Sequence, residues 1–140
     1  MKFSLLIKSL MILIGLSPIK LWASVPDFIP ETTLVNAESL IDLAEQHENL
    51  IIIDARIKSD REQGFIEGSF SLPDITTNCQ TLKVIIPQKI TPSLFYCNGV
   101  KCGRSVKAIV IAKKCGYSNI YWFRGGFEEW SQKGYPVAID

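Results

Sequence analysis

Apolar residues in this chain fall into two kinds of block, and the contrast between them predicts the fold. Leu50-Ile51-Ile52-Ile53 is a continuous run, mostly β-branched, with no polar alternation. A strand of that kind is usually buried on both faces, as in a parallel sheet covered by helices. Ser93–Tyr96, directly after Thr91-Pro92, and Asn119–Phe123 read as further strands, and Thr32-Thr33-Leu34-Val35 as a short one. Between them the spacing turns helical. Leu40, Ile41, Leu43 and Ala44 form the stripe of a helix from Ala37 to about Glu48, with Asn36 placed to cap its first turn. Ser105–Cys115 reads as a second helix, with Val106, Ile109, Val110 and Ala112 inward and Gly116 as its stop. Lys113 and Lys114 sit near its C-terminus, where cations suit the helix dipole. Phe127–Lys133 reads as a short helix between the tight turn Arg124-Gly125-Gly126 and Gly134. Gly64–Gly68 reads as a turn and Thr77–Val84 as one short helix. Strands alternating with helices predict an α/β domain, a small central, mostly parallel sheet with helices on both faces.

The first residues follow another pattern. Lys2 and Lys8 give a positive front, Ser9–Ile19 is uncharged and rich in Leu and Ile, and Ala23 is a small residue at a plausible cut. This is the layout of a secretory signal. The apolar run is shorter than the roughly 20 residues a membrane-spanning helix needs. Residues 1–23 are therefore read as a signal peptide, 24–33 as an extended arm carrying Pro26 and Pro30, and 34–140 as one domain. The implied location is outside the cytoplasm: periplasmic in a Gram-negative bacterium, secreted otherwise. The membrane is a partner only if the segment stays uncleaved.

Composition narrows the function classes. The 140 residues carry 15 basic and 14 acidic side chains and are 47% hydrophobic, which fits one compact domain and argues against disorder. Residues 1–23 hold three of the bases and no acid, so the remaining 117 carry a net charge of −2. No basic surplus exists to neutralise a nucleic-acid backbone.

Export changes how Cys79, Cys97, Cys102 and Cys115 are read. An even number of cysteines in an oxidising compartment suggests disulfides, and four allow three complete pairings. Cys97 and Cys102 have four residues between them rather than two, so a zinc site is poorly supported. The one histidine, His47, falls in a polar helix end and reads as a surface residue, leaving a His-dependent triad without a candidate.

The chemistry concentrates between a strand and a helix, in Cys97-Asn98-Gly99-Val100-Lys101-Cys102-Gly103-Arg104-Ser105. Ligands of open α/β sheets bind beyond the carboxyl ends of the strands, where a helix N-terminus offers free N–H groups to anions. A cysteine at that position is expected to have a lowered pKa and to exist as the nucleophilic thiolate. Gly99 and Gly103 let the loop curl with N–H groups inward, and Lys101 and Arg104 add positive charge. The structural alternative is a Cys97–Cys102 disulfide, and the local pattern alone does not choose.

Ordered matches along the rest of the chain move the balance. Ile51-Ile52-Ile53-Asp54-Ala55-Arg56, Gly64-Phe65-Ile66-Glu67-Gly68-Ser69, Leu72-Pro73, Phe95-Tyr96-Cys97 with Gly103-Arg104-Ser105, Gly116-Tyr117, Gly125-Gly126-Phe127-Glu128-Glu129-Trp130 and Gly134-Tyr135-Pro136-Val137 follow one another. Together they resemble a single-domain rhodanese, of the sulfurtransferase family. Phe65, Glu67 and Ser69 depart from the family's usual Gly-His-Ile-Pro-Gly-Ala turn. The resemblance implies a rhodanese-like fold and a persulfide mechanism. Cys97 would take sulfur from a small anionic donor such as thiosulfate and pass it to cyanide, a small thiol or a protein thiol. Asn98 to Ser105 would form the anion-binding loop. No metal or cofactor is implied. Asp54 and Arg56 are expected to support the site as an ion pair at a strand end.

One departure bears on the chemistry. The family pattern places Arg five residues after the nucleophile, whereas Arg104 is seven after Cys97. This spacing also differs from the Cys-x5-Arg of the related dual-specificity phosphatases, so a phosphatase is a remote alternative. Cys102 supplies a nearer one. As a resolving or regulatory thiol it would make the domain a redox-sensing module or a non-enzymatic sulfur carrier.

Overall fold

The computed structural model describes residues 24–140, so the signal-peptide reading lies outside the described residues. Five strands form one sheet in the order β1 (Thr33–Val35), β6 (Ile120–Phe123), β5 (Ser93–Tyr96), β2 (Ile51–Asp54) and β4 (Phe70–Ser71). All its neighbours run parallel. A separate antiparallel ribbon pairs β3 (Phe65–Ile66) with β7 (Val137–Ala138).

The unalternated apolar runs are explained by burial on both sides. Ile52, Leu94 and Tyr96 face one layer with Leu40 of α1 (Ala37–Gln46) and Trp130 of α5 (Gly126–Gln132). Ile53 and Phe95 face the other layer, with Leu82 of α3 (Cys79–Ile85) and Ala108, Ile109 and Ala112 of α4 (Arg104–Lys114). The mainly parallel sheet with helices on both faces is the fold expected.

Several local expectations hold, and others need correction. Asn36 caps α1 by accepting from the Ser39 N–H at 2.8 Å. Asn78 and Thr81 form a reciprocal capping box that starts α3. Gly116 adopts φ +92 after α4. Val110, expected on the inner side of α4, is 40% exposed. The buried positions are Ser105, Ala108, Ile109 and Ala112, an i, i+3, i+4, i+7 set that turns Val110 outward. The segment read as a turn at Gly64–Gly68 contains β3 instead, held by its long-range partner β7. Lys58–Arg61 forms one further helical turn, α2, which the polar pattern did not predict.

The arm read as residues 24–33 gives up Thr33 to β1, and its residues 24–32 have no regular strand or helix of their own, yet the arm is anchored. Ile29 is buried in the core, Lys113 donates to the Pro30 carbonyl at 2.6 Å, and Arg124 to that of Pro26 at 2.9 Å.

A disulfide joins Cys79, at the start of α3, to Cys115, at the end of α4, with Cα atoms 5.5 Å apart. The bond closes a segment of sequence separation 36. Restricting the unfolded chain over that span is worth about 4 kcal/mol. Replacing both cysteines by serine is expected to lower the urea midpoint accordingly. An unchanged midpoint would show that the bond contributes nothing.

Candidate functional site

Parallel pairing of β2 with β5 places Asp54 opposite Tyr96, so the ends of two central strands deliver a carboxylate and a phenol side by side. Cys97 follows at once and is 2% exposed. Asp54, completely buried, accepts from five donors. Its Oδ1 takes the Arg56 backbone N–H at 3.1 Å and Arg56 Nε at 2.9 Å. Its Oδ2 takes Arg56 Nη2 at 2.7 Å, the Tyr96 hydroxyl at 2.8 Å and Arg61 Nη1 at 3.2 Å. The expected Asp54–Arg56 ion pair is therefore bidentate, the geometry that suits a guanidinium best.

The surroundings keep each group in its charge state. Burial, and then the Asp54 charge, push the Tyr96 phenol far above its ordinary range, so it remains a neutral donor. Burial alone would lower the Arg56 guanidinium, but its bonds to Asp54 outweigh this and the net shift is upward. Arg56 also lies over the Phe127 ring, 4.3 Å from its centroid, and Arg61 over Phe65 at 3.6 Å. Arg61 also donates to the Ser69 hydroxyl at 3.0 Å and its carbonyl at 2.9 Å.

This network reaches the loop through Asn98. Its Nδ2 donates to Asp60 Oδ2 at 2.9 Å, and its Oδ1 lies 3.5 Å from Arg56 Nη1. A second hold comes from α5. The N–H groups of Phe127 and Glu128 donate to the carbonyls of Cys97 and Asn98 at 2.9 and 2.7 Å. Gly126 makes this approach feasible, because it adopts φ +59 with the Cys97 carbonyl packed where a Cβ would be.

Carbonyl and N–H point in opposite directions across a trans peptide. The N–H groups of Asn98 and Gly99 therefore face away from α5. Among the described residues, those of Asn98, Gly99, Val100, Lys101 and Gly103 have no hydrogen-bond acceptor. Gly103 is the N-cap of α4 and supplies no side-chain cap, so the first N–H groups of that helix are also left open. The loop that follows the buried Cys97 thus carries a run of N–H groups with no acceptor among the described residues.

Each remaining loop residue has a definite place. Val100 and Lys101 are exposed. Val100 borders a cavity of ≈ 400 Å³ that Asn36, Ser39, Arg124 and Glu129 also line. Cys102 is partly exposed, its N–H donates to the Gly99 carbonyl at 2.9 Å, and its sulfur is bonded to that of Cys97, with Cα atoms 6.1 Å apart. Its place in the sequence predicts that Arg104 lends its charge to the loop. It is paired with Asp74 at 3.1 Å, and Lys107 lies 3.8 Å from the same carboxylate, so that charge is largely answered. The Ser105 hydroxyl is buried and accepts from Trp122 Nε1 at 3.0 Å. Asp60, Arg61 and Ser69 were not anticipated. They come from a polar, unperiodic stretch and reach the site only through folding. No group of three or more His, Cys, Asp or Glu among the described residues is arranged to hold a metal ion.

Comparison with known proteins agrees with this fold. The family model of the rhodanese-like domain matches residues 36–133. A rhodanese domain-containing protein of Drosophila melanogaster is 33% identical over 98 residues, covering 62% of this chain and 86% of the relative. A sulfurtransferase of Allochromatium vinosum is 24% identical over 104 residues, covering 74% of this chain and 92% of the relative. Among solved structures, the rhodanese-like domain of an Anabaena protein superposes with a TM-score of 0.65 at 20% identity, covering 76% of this chain and 79% of that one.

Proposed function

This chain belongs to the rhodanese-like family, and on that premise we propose that it is a sulfurtransferase using Cys97 as its nucleophile. The observation that carries the reading is the buried Cys97 within a loop of unpaired N–H groups, at the carboxyl end of β5 and the start of α4. That environment favours a thiolate and an anionic donor together.

The reaction starts from the reduced loop. The Cys97 thiolate attacks the outer sulfur of thiosulfate; the new S–S bond forms as the old one breaks, and sulfite leaves. The persulfide anion then occupies the row of donors. An acceptor thiolate attacks its outer sulfur and carries it away, and Cys97 returns as the thiolate. Asn98, Gly99, Val100, Lys101, Gly103 and the start of α4 act through backbone N–H groups fixed before the reaction, which is why they can stabilise developing charge. Asp54 and Arg56 work as positioning residues through Asn98.

The site of action is proposed to be outside the cytoplasm, with residues 1–23 as the address. The charge and hydropathy pattern of that segment supports this, as does the Cys79–Cys115 bond, which is of a kind that persists in oxidising compartments.

Intact mass and turnover test the proposal together. Reduced protein given thiosulfate is expected to gain one sulfur atom when Cys102 is replaced by serine, and to turn over with cyanide or a thiol. Cys97→Ser is expected to lower turnover by at least about a thousandfold and to abolish the added sulfur. Sulfur gained without turnover would favour the carrier reading, which the Cys97–Cys102 bond also accommodates. Activity that survives Cys97→Ser but not Cys102→Ser would move the nucleophile to Cys102.

A further inference from the structure

Cys102 has no part in the transfer just described, although its sulfur is already placed on that of Cys97. The geometry points to a second activity at the same site: reductive release of the bound sulfur as hydrosulfide, with Cys102 as the internal reductant. This inference rests on Cys97 being the sulfur acceptor.

Three observations support it. The Cα atoms of Cys97 and Cys102 are 6.1 Å apart, within the range a disulfide spans. The loop holds this approach with its own hydrogen bond, from the Cys102 N–H to the Gly99 carbonyl. The two residues also differ in access, since Cys97 is 2% exposed and Cys102 is partly exposed. A thiol from solvent has to reach a buried persulfide, whereas Cys102 is held beside it and reacts as an intramolecular group.

The step balances without another reagent. The Cys102 thiolate attacks the inner sulfur of the Cys97 persulfide. A Cys97–Cys102 bond forms, the bond between inner and outer sulfur breaks, and the outer sulfur leaves with the electron pair as hydrosulfide. The sulfane sulfur is reduced by two electrons, and two thiols are oxidised to one disulfide. Thiosulfate and the dithiol protein thus give sulfite, hydrosulfide and the disulfide protein. Restoring the dithiol requires an external dithiol reductant. Attack on the more accessible Cys102 sulfur makes Cys97 the leaving thiolate, which the loop N–H groups receive.

Anaerobic single-turnover measurement decides the matter. Reduced, desalted wild-type protein is mixed with excess thiosulfate and no added thiol. The expected products are one equivalent each of sulfite and hydrosulfide per chain, and a protein lighter by two hydrogens. A control without thiosulfate should stay reduced. Cys102→Ser and Cys102→Ala, each checked for folding by circular dichroism, should release the sulfite, keep one added sulfur and release no hydrosulfide. Wild-type protein that keeps a stable persulfide beside a free Cys102 thiol would overturn the inference and leave the sulfurtransferase reading standing. Hydrosulfide release undiminished in both variants would also overturn it. No sulfite from wild type or variants would overturn both readings.

Discussion

Replacing Asp54 by alanine is expected to destabilise the domain by about 3–5 kcal/mol, the usual consequence of removing one partner from a buried ion pair. The carboxylate is fully buried and answers Arg56 and Arg61, which are 1% and 9% exposed. Without it, two guanidiniums and the Tyr96 hydroxyl would share a desolvated pocket with no anion bonded to them from within it. Domains of this size have about 5–15 kcal/mol of stability in all, so a large part of the margin would go. Asp54→Asn keeps the shape and some acceptor capacity and should fall between wild type and Asp54→Ala. Urea denaturation of reduced and oxidised protein measures both. A loss below about 1 kcal/mol would mean that water or Asp140, 3.7 Å from Arg61 Nε, compensates the charges.

Gly126→Ala is expected to act on stability and turnover at once. At φ +59 an alanine is strained by roughly 1–2 kcal/mol. Its Cβ would also land on the Cys97 carbonyl oxygen, with the Asn98 carbonyl carbon only 3.1 Å away. Backbone cannot swing aside as a side chain can, so α5 and the loop must separate, adding about 1–3 kcal/mol. Separation releases the two N–H bonds that orient the Cys97 and Asn98 carbonyls, and with them the row of opposed N–H donors. Turnover should therefore fall further than stability accounts for at temperatures where the variant is folded. Gly134→Ala provides the comparison. Gly134 has φ +73 but nothing lies within 4 Å of its Cβ position, so that variant carries strain without collision. Equal behaviour of the two variants would refute the role assigned to Gly126.

The parts of the fold that could be read from the chain are those with a local cause. Ile51–Ile53 and Leu94–Tyr96 are apolar on both faces because helices cover both faces, and an unalternated run reports that directly. Asn36 caps with its own side chain, three residues from the N–H it accepts. The place of Cys97, after a strand and before a helix, could be read because it is a property of neighbouring residues. What stayed hidden depends on distant partners. The two-residue strands β3 and β4 are too short to show a period, and their partners are Val137–Ala138 and Ile53–Asp54. Arg61 is buried because Asp54 and Ser69 meet it, and nothing in the polar run around it announces this. Proximity in sequence puts Arg104 with the loop, while Asp74, thirty residues earlier, holds its charge. The cysteine pairing had three solutions, and only the docking of α3 against α4 selects one of them.

The placement of the two disulfides bears on what a reductant can do to this molecule. Cys102 lies just before α4 and Cys115 just after it, so eleven helical residues separate the bonds. A helix of that length spans roughly 16 Å, far beyond the reach of a thiolate at one end attacking a sulfur at the other. Opening the loop bond, again and again if turnover demands it, leaves the structural bond out of range. Scrambling between them requires α4 to undock first. The helix that starts at the candidate site thus also serves as an insulator between the two disulfides.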